Sequence, residues 1–210
     1  MTAGYGLALH TGTPELGLAR TNPDGTMESV VVDLGRATST ELHGRLQQFW
    51  GDRPWSELAY VAVAAGPGGF TGTRLGVVTA RTLAQQLKIP LFAASNLAGI
   101  VWREAQAGQA DERLALELQA QRGELVTALY HWDPEQQLAV CDWPETLYSP
   151  TEWEACLARC PYPHRRVDAA PGQAATVVGL LEMARRRYGR GDRPAWSDAL
   201  PFYGQHPVER

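Results

Sequence analysis

Short apolar runs alternate with segments of helical period along most of the chain. Three runs of strand character come first, Tyr5 to Thr11, Glu15 to Thr21 and Glu28 to Leu34, separated by Gly12-Thr13-Pro14 and by Asn22-Pro23-Asp24-Gly25. Strand-forming runs between turn formers predict a β-meander. Thr38 stands three residues before Glu41, the spacing of a capping box, and Leu42, Leu46, Phe49 and Trp50 follow at helical spacing up to Gly51. A first helix is expected there. Tyr60 to Ala65 is almost wholly apolar, as suits a strand buried on both faces, and it runs into a glycine-rich turn. A second helix over about Thr71 to Lys88 ends before Pro90, Leu91 to Ala94 gives one more strand, and Ser95 caps a helix through about Ala107.

The second half repeats the order. Arg113 to Gln119, Glu124 to Trp132 and Gln137 to Trp143 read as another meander, broken at Gly123 and at Asp133-Pro134. Ser149 as N-cap, Pro150 at the first helical position and Glu152 three residues after the cap start a helix to about Arg159. Arg166 to Ala169 is a short strand candidate and Gln173 to Tyr188 a helix. The pattern strand, strand, strand, helix, strand, helix thus occurs twice, without a sequence repeat. Two such lobes side by side predict an α/β fold of two ribonuclease H-like lobes, the actin-like (ASKHA) superfamily architecture: an N-terminal lobe over residues 1–100 and a smaller, degenerate C-terminal lobe over 101–210. A single mixed α/β domain of another topology is the competing arrangement.

Composition narrows the function classes. The 210 residues are 44% hydrophobic and 20% charged, enough to build a core without staples. Lys plus Arg number 19 against 23 Asp plus Glu, a net charge of −4, which disfavours autonomous nucleic-acid binding, since neutralising many phosphates needs a basic surface. Cys141, Cys156 and Cys160 are too few and odd in number for a disulfide framework, and a reducing compartment is expected. The start MTAGYGLALHTGT has no basic leader, and glycines and His10 interrupt its apolar stretch. No membrane association and a cytoplasmic address are the expectation.

The stretch Gly66-Pro67-Gly68-Gly69-Phe70-Thr71-Gly72-Thr73-Arg74-Leu75-Gly76 carries the most information. A turn from a buried strand into a helix exposes amide donors that suit an anion, so Gly66, Gly68, Gly69 and Thr71 are candidates for a weak anion contact. The spacing misses both standard phosphate motifs, because no Gly-Lys-Ser or Gly-Lys-Thr follows and Thr71 stands where a third dinucleotide glycine would be needed. Gly72, Gly76, Ala80 and Ala84 recur every four residues and form a ridge with almost no side chain. Another backbone can approach such a ridge closely. Either it packs inside its own lobe or, with Arg74 and Leu83, it forms a partner interface.

At this stretch the sequence resembles the bacterial TsaB, or YeaZ-like, family, whose hallmark Gly-Pro-Gly-Ser-Phe-Thr-Gly-x-Arg-x-Gly is matched by residues 66–76 with Gly69 replacing the serine. Leu7 to Thr11 is similar to the family's first strand, Arg122-Gly123-Glu124 to a segment of its second meander, and Pro201-Phe202-Tyr203 to its C-terminal Pro-x-Tyr. The resemblance implies a non-catalytic scaffold that pairs with a catalytic TsaD-like paralogue. With a TsaE-like ATPase, the pair forms the threonylcarbamoyl modification on the adenosine next to the anticodon of tRNAs reading codons that begin with A. It implies a dimer surface built from the glycine-rich helix and the helix before its strand. It also implies tRNA contact only through the complex, no cofactor bound by this chain alone, and ATP or ADP with magnesium left to the assembled complex. A homodimer of the isolated chain stays open.

Departures from the family pattern point the same way. His10 stands where the family usually carries an aspartate, the magnesium-linked acid of active superfamily members; Gln119 and Gln121 replace an expected Asp and Arg, and Gly204-Gln205 the usual Leu-Arg. The cleft has lost charged groups. A stand-alone actin-like ATPase or kinase is the alternative, and His10 argues against it because phosphoryl transfer needs carboxylates to hold magnesium. No catalytic residue and no metal site is expected: the five histidines include no pair three to five apart, and Pro161 and Pro163 separate Cys160 from His164. A protease finds no Gly-x-Ser-x-Gly elbow or zinc motif. Arg185-Arg186-Arg187 with Arg190 could touch phosphates, but cations in a last helical turn also complement the helix dipole.

Overall fold

The computed structural model describes residues 4–170 and 172–202, and its first sheet grows out of the apolar runs of the first half. β1 (Tyr5–His10), β2 (Glu15–Thr21) and β3 (Met27–Asp33) form the expected antiparallel meander. After α1 (Thr38–Trp50), β4 (Leu58–Ala64) joins β1 in parallel. After α2 (Phe70–Leu87), β5 (Leu91–Ala94) extends the sheet to the order β3-β2-β1-β4-β5. β1 and β4 are almost wholly apolar, with His10 the polar exception, because both faces are covered. Leu7, Leu9, Val61 and Val63 pack with Leu42, Leu46 and Trp50 of α1 and Val77, Ala80 and Ala84 of α2. Ala8, Ala62 and Tyr60 meet the last helix from the other side. Trp50 is fully buried and stacks on Trp55 at 4.8 Å; truncating a core tryptophan costs about 3–5 kcal/mol.

After α3 (Asn96–Gln106), the second half repeats the plan with β6 (Arg113–Gln119), β7 (Leu125–Asp133), β8 (Leu138–Tyr148), α4 (Pro150–Leu157) and β9 (His164–Asp168), in the sheet order β8-β7-β6-β9. The first three strands are again antiparallel and the last again runs parallel to the first. This is the two-lobe α/β plan expected from the pattern. A 3-10 turn, Gln173–Thr176, leads into α5 (Val177–Gly189). α4 covers the outer face of the second sheet through Trp153 and Leu157. α3 and α5 fill the space between the sheets: Leu180 and Met183 of α5 join Leu114, Leu116 and Ile100, while its Val177, Leu181 and Ala184 lie on the first sheet. The division at residues 100 and 101 falls inside α3.

Local signals were mostly realised. Ser149 accepts from the Glu152 amide at 3.3 Å and Glu152 accepts from the Ser149 amide at 2.9 Å, a complete capping box. Ser95 caps α3 by accepting from Leu97 at 3.0 Å. The capping box expected at Thr38 does not form. Ala37 is the N-cap, without a side-chain cap bond, because the turn Leu34–Ala37 starts the helix one residue earlier and Glu41 pairs with Arg45 at 2.8 Å instead. β8 runs five residues past the expected Trp143 to Tyr148, carried through Pro144 by irregular pairing with β7 between Thr127 and Tyr130.

Candidate functional site

The glycine-rich turn is tied into the fold on both sides. Gly66, at φ +106°, a conformation glycine adopts without strain, donates to the Asn96 side-chain oxygen at 3.1 Å, and the Asn96 side-chain amide donates to the Pro67 carbonyl at 2.8 Å. Gly69 donates to the Gly12 carbonyl, just beyond β1, at 2.7 Å. Asn96 is fully buried, so these bonds lock the turn between β1 and α3. Two amides of the candidate anion contact, Gly66 and Gly69, are therefore engaged inside the protein. Gly68 and Thr71 lie at the surface.

The small ridge of α2 faces inward. A Cβ on Gly72 would sit 2.1 Å from the Thr11 carbonyl oxygen, and one on Gly76 2.2 Å from the Thr11 hydroxyl oxygen. That hydroxyl donates to the Gly72 carbonyl at 2.7 Å. Ala80 and Ala84 are fully buried in the first core, and Leu83 packs against its edge. Of the two readings of the ridge, these contacts support packing inside its own lobe: Thr11, just beyond β1, approaches Gly72 and Gly76, and Ala80 and Ala84 lie in the first core. Of the candidate interface residues, Arg74 is the exposed one. The sequence missed its neighbours. Phe70 is 60% exposed and Val78 59%, and with Arg74, whose guanidinium lies 3.8 Å over the Phe70 ring, they line one face of α2 at four-residue spacing. That four-residue recurrence was visible in the sequence, but it runs beside the glycine ridge and the helix is apolar almost all round.

The end of β1 is buried. His10 is fully buried, and neither ring nitrogen has a hydrogen-bond partner among the described residues. Burial pulls its imidazole down to about 4, so it is neutral near pH 7. His10 pairs across the sheet with Gly17, and a Cβ on Gly17 would lie 2.2 Å from the Ala174 carbonyl oxygen. The turn Gln173–Thr176, itself buried at Gln173, Ala174 and Thr176, is thus pressed onto β2 at Gly17, beside the end of β1. A buried neutral imidazole does not fit magnesium with triphosphate, which needs carboxylates and an open approach. Among the described residues no group of three or more His, Cys, Asp or Glu is placed to hold a metal ion. Surface grooves of about 490 Å³ (Gln109, Asp111, Glu112, Arg165) and 370 Å³ (including Met27, Trp102, Trp132 and Glu182) lie away from this cleft.

The remaining sequence candidates are accounted for locally. Gln119 donates to the Glu124 carbonyl at 3.3 Å, and Gln121–Gly123 form a 3-10 turn. Arg185 and Arg186 both pair with Glu182, at 2.7 and 2.8 Å, and Arg187 pairs with Asp192 at 2.9 Å. Arg190 donates to the Gln136 carbonyl at 2.8 Å, tying α5 to the β7–β8 turn. Tyr203, Gly204 and Gln205 lie outside the described residues.

Comparison with known proteins agrees with the geometry. Residues 52–142 match the family TsaD, tRNA N6-adenosine threonylcarbamoyltransferase. The chain is 30% identical over 151 residues to the tRNA threonylcarbamoyladenosine biosynthesis protein TsaB of Bacillus subtilis (strain 168), covering 67% of this chain and 65% of that protein. It is 41% identical over 56 residues to the protein of that name from Buchnera aphidicola subsp. Schizaphis graminum (strain Sg), covering 25% of this chain and 27% of that one. The matches thus span less than two thirds of either relative. The fold is shared with YeaZ from Pseudomonas aeruginosa, at a TM-score of 0.75 and 23% identity over 95% of this chain and all of that one. A second structure, an uncharacterized protein with similarity to peptidase YeaZ from Pseudomonas aeruginosa, gives a TM-score of 0.76 at 23% identity over 96% of this chain and all of that one. In its glycine-rich turn and two-lobe fold the chain is thus similar to proteins named TsaB and YeaZ.

Proposed function

We propose that this chain is a non-catalytic subunit that pairs with a TsaD-like enzyme and, with a TsaE-like ATPase, serves the threonylcarbamoyl modification of adenosine next to the anticodon in tRNAs reading codons that begin with A. The observation that carries this reading is the fully buried, neutral His10 at the end of β1, where the resemblance places the magnesium-linked acid of active members, with Ala174 pressed against its cross-strand partner Gly17. Catalysis would then belong to the partner, and any ATP or ADP with magnesium to the complex. The exposed row Phe70, Arg74 and Val78 on α2 supports pairing through this helix, with α1 beside it. tRNA would be met through the complex, and the isolated chain could use the same row to form a homodimer. No helix among the described residues is long and apolar enough to cross a membrane, and a cytoplasmic role fits the proposed substrate.

Co-expression with TsaD-like and TsaE-like proteins, followed by size-exclusion chromatography, tests the pairing; a stable co-eluting complex is expected. The alternative of a stand-alone ATPase or kinase is tested by magnesium-dependent ATP turnover of the purified chain. Turnover near 1 per second, the scale of a working enzyme, would overturn the scaffold reading.

A further inference from the structure

Resting on the α2 reading above, we infer that the segment Trp196–Phe202 is a second wall of the partner-docking surface, with Leu200 as its apolar contact. The segment is anchored along α2 on both sides of that residue. Arg81 of α2 donates to the Ala199 carbonyl at 3.3 Å and lies over the Trp196 ring at 5.5 Å. Ala199 is buried in the first core, where Trp196 also packs. At the other end, Phe202 donates to the Ala65 carbonyl at 2.7 Å, directly before the glycine-rich turn. Between these anchors Leu200 is 65% exposed, more than any other large hydrophobic among the described residues.

A single exposed leucine needs no explanation. Here, however, Phe70 and Val78 are exposed on the same helix that holds the segment, and grouped apolar exposure marks an interaction surface. Phe70, Arg74, Val78 and Thr82 follow one another at four-residue spacing on α2, and Arg81, which holds the segment, adjoins that row. On the opposite flank of α2, Thr79 meets His43 of α1 at 3.5 Å. The exposed row therefore runs between α1 on one side and the anchored segment on the other.

The occupant is the counterpart of α2 in a TsaD-like chain. The TsaD family match includes β4, the glycine-rich turn and α2, so a chain of that family carries the same elements. Two chains that share an element can meet isologously about a pseudo-twofold axis, apolar row against apolar row.

The test compares Leu200→Glu, Leu200→Ser and Val78→Glu in the full chain, co-expressed with a TsaD-like protein, reading complex affinity and the unfolding temperature of each isolated variant. Both Leu200 variants should unfold like the parent, because the side chain stands in water, yet bind at least about tenfold more weakly, the scale of one lost apolar anchor. Parent-like binding of both Leu200 variants with loss in Val78→Glu would overturn the role of the segment while leaving the α2 reading intact. Parent-like binding of all three would overturn both, and loss confined to the Leu200 variants would overturn a surface shared with α2. Weakening that tracks a fall in unfolding temperature would likewise overturn the proposal, since it would assign Leu200 to folding.

Discussion

At His10 a titratable side chain is held where its charged form has no solvation. Its ring nitrogens lack partners among the described residues, and burial lowers its pKa from 6.5 to about 4. Above pH 6.5 neither the folded nor the unfolded chain protonates it, so it adds no pH slope. As pH falls from 6.5 to about 4, the unfolded chain takes up a proton that the folded chain refuses, and stability is lost by roughly 3 kcal/mol in all. His10→Leu should therefore lose less stability than the parent between pH 6.5 and 4, read from urea midpoints across that window. Equal slopes in the two proteins would rule out a buried neutral imidazole. The sequence marks His10 only as an unusual residue in a strand that otherwise resembles a family's; that its cross-strand partner Gly17 lies under Ala174 depends on residues far along the chain.

At the scale of the element, α2 shows what periodicity can and cannot say. The four-residue recurrence of Gly72, Gly76, Ala80 and Ala84 announces a close backbone approach, but not by which backbone. Leu75, Val77, Val78, Leu83 and Leu87 make the helix apolar around most of its circumference, so the pattern does not name its inner face. The structure gives the ridge to Thr11. Gly72→Ala should accordingly destabilise by about 1–3 kcal/mol, although alanine favours a helix by roughly 1 kcal/mol over glycine, because its Cβ would meet a backbone carbonyl that cannot rotate away. Gly76→Ala should cost less, since the Thr11 hydroxyl can turn aside at the expense of its bond to Gly72. Thermal unfolding of the two variants gives the order, and equal or reversed effects would argue against the inward ridge.

For the whole molecule, the arginines of α5 bind the protein to itself: Glu182 and Asp192 hold three of them by ion pairs, and a fourth reaches the β7–β8 turn. With a net charge of −4, the isolated chain should bind tRNA weakly at physiological salt, and affinity should appear only with the partner. Filter binding with and without the TsaD-like protein measures this. Submicromolar affinity of the chain alone that fell on charge reversal of Arg186 and Arg187 would make α5 an RNA surface instead. The same helix gives the molecule its coherence, since it lies against both sheets and continues directly from the turn Gln173–Thr176, which packs on Gly17.

Strand runs, turn residues and helix periods lie close together in the chain, and local physics was enough to announce both meanders, the order of elements and the capping boxes at Ser149 and, wrongly, at Thr38. The glycine-rich turn and His10 as an unusual residue in an apolar strand were likewise legible. Which face of α2 is buried, that the turn Gln173–Thr176 packs on β2, and that the segment Trp196–Phe202 is held against α2 are decided by contacts between residues 11 and 72, 17 and 174, and 81 and 199. Those contacts follow from packing two sheets against shared helices, and packing selects one face of an evenly apolar helix only when all its neighbours are in place.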